Sequence, residues 1–384
     1  MKILLKVFLY IFFICTFILL LKSMFLTSYP DFRNYYFNPQ MAFKGLNPYI
    51  GGKNLYTATT YPPFSFILFS PFSIMNFEFA GKLITILSIS LLIASLVFIF
   101  KTGEMKIKSY VFLLVSGLVF LYFPVKFTLG MGQINIFVLF FLTLFLYFLK
   151  LKKILLSGFF LALSFLTKLF PILVFPYLLY KRKYKLLAFS IFVILIVSGL
   201  SFILIPKEIN FFFYQKILPS LLSSWHSDYY NQSISGFLSR SISNSQARSI
   251  LRDIFVLFVI VSSVLILAKS KLKNMNFEAG YLVIITLLID GFSWQHHFTW
   301  LILPFIFTLF LLIKTKQSKF PYALLFISYF LTAINFRSPS SLHVLLQSHV
   351  FFGALLLWIL DSILILRTSV EAAKRFPKRS NRGL

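Results

Sequence analysis

Residues 154–180 read ILLSGFFLALSFLTKLFPILVFPYLLY, an apolar run with one charge, Lys168, three residues before Pro171. As a single helix it would put the basic clusters at its two ends, Lys150–Lys153 and Lys181–Lys185, on opposite faces of a membrane and invert everything downstream. As two short helices hinged at Lys168–Pro171 it returns both clusters to one face. Proline has no N–H to give and its ring clashes with the preceding turn, so the break belongs there. We read a hairpin.

The rest of the chain is built the same way. Of its 384 residues, 59% are hydrophobic and 12% charged, against about a quarter charged in soluble domains, which excludes a soluble monomeric globule. A bilayer core needs roughly 20 apolar residues in helix, with every backbone polar group satisfied inside the helix. Apolar stretches near 7–26, 79–100, 110–124, 135–149, 154–167, 169–180, 186–205, 251–268, 277–290, 298–313, 320–335 and 345–366 predict an all-α polytopic membrane protein of about twelve crossings.

The 37 Lys and Arg against 10 Asp and Glu give +27. Clustered on one face, such an excess would suggest nucleic acid; here apolar runs separate the bases, and a nucleic-acid partner is not expected. They fall instead at Lys2 and Lys6; Lys101, Lys106 and Lys108; Lys150, Lys152 and Lys153; Lys181, Arg182, Lys183 and Lys185. Further on come Lys269, Lys271 and Lys273; Lys314, Lys316 and Lys319; and, in the tail, Arg367, Lys374, Arg375, Lys378, Arg379 and Arg382. All belong to one side if both termini are cytoplasmic. The acids Asp31, Glu78, Glu208, Asp228, Asp253 and Asp290 fall in or beside the outer segments. Residues 1–366 thus read as one transmembrane domain with long outer segments at 27–78 and 206–250, and 367–384 as a basic cytoplasmic tail. The run ending Lys22, Ser23, Met24, Phe25 has no small-x-small cleavage site, so the first span is expected to be retained. A lone Cys15 gives no disulfide framework and no Cys-based zinc site.

Polar residues gather at the outer ends. The first outer segment holds Asp31, Tyr35 and Tyr36, a Gly45, Asn47, Pro48, Tyr49 turn and Tyr61, Pro62, Pro63; 64–77, containing Pro71, is short enough to be re-entrant or interfacial. Asp31 is either a carboxylate whose desolvation suits a general base or an interface acid capped by Arg33. Gly130–Asn135 offers Gln133 and Asn135 to a polyhydroxyl ligand, or is a plain turn with an Asn cap. Lys168 can hold a phosphate as a point charge, or snorkel. Trp225 to Ser233, with Gly236 and Arg240, sets Asn231 and Gln232 beside a guanidinium fork suited to phosphate; an amphipathic interfacial helix from Ser233 to Ser243 reads equally well. The last cluster is Asp290, Gly291, Phe292, Ser293, Trp294, Gln295, His296, His297, Phe298, Thr299, Trp300. Its histidines can meet a phosphate or move a proton. Neighbouring helical side chains diverge by about 100°, so joint ligation of a metal by the pair is not expected.

Together these segments resemble glycosyltransferase family 87 of the GT-C superfamily, in family order from 31 to 300. The matching elements are Asp31 with Tyr35, Tyr36 and the Gly45–Tyr49 turn; Tyr61, Pro62, Pro63; Gly132, Gln133, Asn135; Lys168 with Pro171; Asn231, Gln232, Ser233 with Gly236 and Arg240; and Ser293, Trp294, His296, His297, Trp300. The resemblance implies a GT-C fold in the cytoplasmic membrane with the active site facing outside, and inverting transfer of mannose, another hexose or arabinofuranose. It implies a polyprenyl-phosphate-linked sugar as donor, an envelope glycolipid or glycan as acceptor, and no cofactor or metal. On these positions Asp31 would be the base. His296 or His297 would contact the donor phosphate, Lys168 and Arg240 would neutralise it, and Gln133, Asn135, Asn231, Gln232, Tyr35, Tyr36 and Trp294 would bind substrate. An O-antigen ligase or polymerase-like transferase would also use large outer loops. A lipid or sugar transporter should show internal repeats and mid-membrane charges, and the polar clusters sit instead at span ends.

Overall fold

A charge-free apolar run has no water inside a bilayer to satisfy its backbone, so it closes its own hydrogen bonds as helix. The computed structural model describes residues 2–26, 28–50, 59–223, 228–270, 272, 274–336 and 341–375, and each of the twelve apolar stretches is helical in it. Trp225, His226 and Ser227 of the second outer segment, and the tail beyond residue 375, lie outside the described residues. Among the described residues the one β-type pairing is an isolated bridge between Asn231 and Trp294.

The decisive stretch breaks at its proline. Ile154–Thr167 is one helix, Phe170–Leu173 a 3-10 turn with Pro171 at φ −78° and ψ 29°, and Val174–Tyr180 a second helix. Ser157 Oγ donates to Phe145 O at 2.9 Å and Ser164 Oγ to Val138 O at 3.4 Å, so the first arm runs antiparallel along Asn135–Lys150. At the far end of the second arm, the Tyr177 hydroxyl hydrogen-bonds Glu278 and Lys181 pairs with Glu278 at 2.8 Å, while Lys168 at the hinge lies beside His297. The second arm therefore runs back along Met275–Ile289. Both basic clusters return to one end, as the hairpin reading requires.

Other contacts mark the same end. Lys150 lies 3.1 Å and Lys314 3.8 Å from Glu104, and Lys150 Nζ donates to Lys101 O at 2.9 Å. Such exposed pairs stabilise little, but they bring together three loops that the distribution of bases assigns to one side.

Fewer helices are individually long enough to cross a bilayer than the twelve stretches read from the sequence. Among the described residues, six helices are long and apolar enough to cross: Ile3–Phe25, Phe77–Thr102, Tyr184–Leu204, Ser245–Lys269, Gln295–Lys314 and His349–Arg367. Tyr110–Leu121 and Phe123–Met131, bent by 51° beside Pro124, supply a seventh if they act as one span. The remaining expected crossings, Asn135–Lys150, Ile154–Thr167, Phe170–Tyr180, Met275–Ile289 and Lys319–Ala333, are apolar helices of 10–17 residues. At about 1.5 Å per residue these fall short of a bilayer core of about 30 Å. Met275–Ile289 is buried from Phe277 to Leu288, and shielding by neighbours lets a polar turn sit at depth.

Two short stretches after the first helix complete the frame. Phe32–Phe43 packs on Pro63–Phe69 and the 3-10 turn Ser70–Ile74, which occupy the stretch expected to be re-entrant. Tyr29, Phe32, Tyr35, Tyr36, Tyr61, Phe69 and Phe72 form the buried aromatic cluster between them.

Candidate functional site

Asp31 precedes the first turn of Phe32–Phe43, and its carboxylate caps no backbone group of that helix. Its own N–H donates to Met131 O at 2.9 Å. The next residue on that strand of chain, Gly132, has φ +67°, and a Cβ there would meet Phe32 Cβ at 2.6 Å, so only glycine fits both the left-handed turn and the close approach. This turn delivers Gln133 to the carboxylate: Nε2 donates to Asp31 Oδ2 at 2.6 Å, and Oε1 accepts from Tyr35 OH at 2.9 Å. Tyr61 OH accepts from Gln133 Nε2 at 3.0 Å, and Tyr49 OH donates to Tyr61 O at 2.8 Å. Arg33 does not cap Asp31; its guanidinium lies 5.2 Å from the Phe77 ring centroid. Burial raises the Asp31 carboxyl above its usual range, opposed by the Gln133 hydrogen bond and the charge of Lys168.

Two residues after Gln133, Asn135 links this carboxylate to a cation. Asn135 Oδ1 accepts from Lys168 Nζ at 2.9 Å, and Asn135 Nδ2 donates to His296 O at 3.1 Å. Lys168 Nζ lies 2.8 Å from His297 Nε2 and 5.6 Å from the ring centroids of both Tyr61 and Trp300. The His297 ring stacks on Trp300 at 5.2 Å and 9°, Phe170 packs on the same indole, and Trp300 Nε1 donates to Asn135 O at 2.9 Å. Burial lowers the Lys168 ammonium to about 7, opposed by the charges of Asp31 and Asp290. The two histidines stand in the 3-10 turn Gln295–Leu301, whose three-residue period throws successive side chains apart. Their rings are 80° to each other with centroids 4.6 Å apart. His297 therefore reaches Lys168. His296 lies among Phe127 and Trp294, with a buried Nδ1 that has no partner.

The second outer segment is tied to this turn by backbone. Gln232 N donates to Ser293 O, and Gln295 N to Tyr230 O, both at 2.8 Å. The polar side chains expected there are spent on holding the pairing. Asn231 Nδ2 donates to Gly291 O at 3.0 Å, Gln232 Nε2 to Gln347 O at 2.8 Å, and Phe351 N to Gln232 Oε1 at 3.2 Å. Arg240 Nη1 donates to Asp228 O and Asn231 O, and Nη2 to Ser348 Oγ. Gly236 admits the loop, because a Cβ there would meet Asn231 O at 2.1 Å.

Compared with known proteins, residues 59–292 match the family model described as glycosyltransferase family 87. The chain belongs to glycosyltransferase family 87. It is 24% identical over 249 residues to a polyprenol-phosphate-mannose-dependent α-(1-2)-phosphatidylinositol pentamannoside mannosyltransferase of Mycobacterium tuberculosis, covering 63% of this chain and 56% of that relative. The chain thus spans about half the length of the curated relative it matches. No solved structure matches.

In this family 87 glycosyltransferase, then, Asp31, Tyr35, Gln133, Asn135, Lys168 and His297 stand in one hydrogen-bonded cluster, joined through the Gln133–Asn135 turn. Tyr36 turns away, donating to Met75 O at 2.6 Å. Trp294 stacks on Tyr230 at 5.9 Å and 16°, with its indole N–H unpartnered. Asn231, Gln232 and Arg240 stand behind the turn that carries His297. Tyr61 and Asp290 also stand at this cluster, and the Pro62–Pro63 stop and the acid before the histidine turn are the sequence signals for them. Thr128, whose Oγ1 donates to His296 O at 3.1 Å, carried none. Among the described residues no group of three or more His, Cys, Asp and Glu side chains is placed to hold a metal ion.

Proposed function

We propose that the chain transfers a mannosyl residue, or a closely related sugar, from a polyprenyl-phosphate donor to an envelope glycolipid or glycan, with inversion and with Asp31 as base. One observation carries this reading: a half-buried carboxylate and a lysine–histidine pair stand in one polar cluster, bridged by Gln133 and Asn135. The acceptor O–H gives its proton to Asp31 as its oxygen bonds to the anomeric carbon. The bond from that carbon to the phosphate oxygen breaks, and the oxygen keeps the electron pair. Lys168 supplies N–H groups to the charge that develops there, its ammonium placed by Asn135 Oδ1 and His297 Nε2. A phosphate leaving group needs little protonation, so one base suffices.

The printed activity of the mycobacterial relative supports the donor class. An outward-facing site is supported by its place at the helix ends opposite Lys101, Lys150 and Lys314. The test is transfer by the purified protein in liposomes, offered labelled polyprenyl-phosphate-mannose or GDP-mannose in the presence of a chelator. We expect product from the lipid-linked donor only. Transfer from the nucleotide sugar, or loss of activity that a divalent ion restores, would overturn the donor class or the metal-free chemistry respectively.

A further inference from the structure

The helix Phe32–Phe43 has two polar faces treated differently. On one, Tyr36 OH donates to Met75 O at 2.6 Å, Gln40 Nε2 to Ser73 O at 3.3 Å, and Ser73 Oγ returns a hydrogen bond to Tyr36 O at 2.7 Å. Every polar group named there is used. On the other, Asp31, Asn34 and Asn38 are spaced i, i+3, i+7, which aligns them on one side of the helix. Asn38 is 0% exposed and neither its amide nitrogen nor its oxygen has a partner; Asn34 is 4% exposed with an unpartnered Oδ1. Buried amides are almost always satisfied, because leaving one dry costs stability that packing must offset. Two on one stripe, leading away from the expected base, point to a ligand.

The stripe suits a sugar. An uncharged amide offers two donors and an acceptor, the pattern that neighbouring hydroxyls complement. At about 1.5 Å of rise per residue, Asn34 and Asn38 stand roughly 4.5 and 10.5 Å along the helix from Asp31, within the span of one or two hexose rings. Tyr35, on the other flank of Asp31, is occupied by Gln133 on the side that leads to Lys168. An inverting displacement brings its nucleophile from the side opposite the leaving phosphate. We infer that Asn34 and Asn38 form the subsite for the acceptor sugar, hydrogen-bonding the ring whose free hydroxyl meets Asp31. This rests on the sugar-transfer reading above.

The experiment uses the full chain in detergent, with polyprenyl-phosphate-mannose as donor and octyl α-D-mannopyranoside as acceptor probe. In Asn38→Leu, the KM and Kd for the probe should rise about tenfold, while the donor KM stays within about twofold. The acceptor-free protein should melt at the same temperature or higher, since an unpartnered amide has been replaced by an apolar group of similar size. Asn34→Ala should raise the probe KM in the same sense. Unchanged probe KM and Kd in both variants overturns the inference. So does a lower melting temperature with equal losses for donor and probe, which marks a structural role. Titration calorimetry separates this from the transfer reading. Probe binding that weakens in Asn38→Leu, in a protein whose wild type transfers nothing from the donor, supports the subsite and contradicts the transfer; transfer with unaltered probe binding does the reverse.

Discussion

At the scale of the residue, pH acts through Lys168 and Asp31. On the proposed function an anionic phosphate is held by the ammonium form of Lys168, which burial brings down to about 7, so donor affinity should fall as pH rises through that value. Asp31 must be ionised to take a proton, and burial raises its carboxyl above the usual range, so turnover rises as pH climbs through that group. The product is a bell in kcat/KM, its alkaline limb belonging to Lys168. Lys168→Arg, always charged, should hold the donor KM level from pH 6 to 9; a variant that keeps the wild-type alkaline limb shows that another group titrates there. The polar types in this cluster were legible because Asp31, Gln133, Asn135, Lys168 and His297 each interrupt an apolar context. What each touches was not. Nothing in the spacing of Tyr35 and Tyr36 says that one reaches Gln133 and its neighbour a backbone carbonyl of residue 75, because that is settled by which way the helix rolls onto Ser70–Ile74.

Elements place those residues, and two glycines separate a designed approach from an idle one. A Cβ on Gly236 would meet the Asn231 backbone at 2.1 and 2.7 Å, whereas one on Gly130 would meet nothing within 4 Å. Gly236→Ala should therefore force Asn231 away from Arg240 and destabilise by about 1–3 kcal/mol, with a drop in activity, because the loop it moves pairs with the turn bearing His297. Gly130→Ala should be neutral within about 0.5 kcal/mol. Thermal unfolding of both in detergent checks this, and a neutral Gly236→Ala would mean that the loop is not held by that contact. The hinge at Pro171 was readable at this scale because proline acts locally. The length of the crossings was not, since composition marks a helix as apolar without saying whether lipid or protein surrounds it. The contacts of Asn231, Gln232 and Arg240 were not legible for a related reason: polar side chains that recognise hydroxyls also recognise backbone, and here the backbone of 228–231, 291 and 347 takes them.

For the whole molecule, the +27 charge resolves into two populations. Most bases lie in the short loops and tail, and those of 101–104, 150 and 314 meet at one end. A few, with Lys168 foremost, lie at the other end, where the termini of short buried helices gather a polar cluster inside an apolar body. The shortness of Asn135–Lys150, Ile154–Thr167 and Met275–Ile289 belongs to the same design, because the first begins at Asn135 and the other two stop just before Lys168 and Asp290. Four distant segments thus contribute to one site, and the account stands on Asp31 serving that site as base rather than as scaffold. The direct measurement is sugar transfer from polyprenyl-phosphate-mannose by Asp31→Asn in proteoliposomes, with donor binding followed in parallel. The account predicts donor bound within about threefold of wild type and transfer reduced by about 10³-fold; transfer above about a tenth of the wild-type rate, with donor still bound, would contradict it.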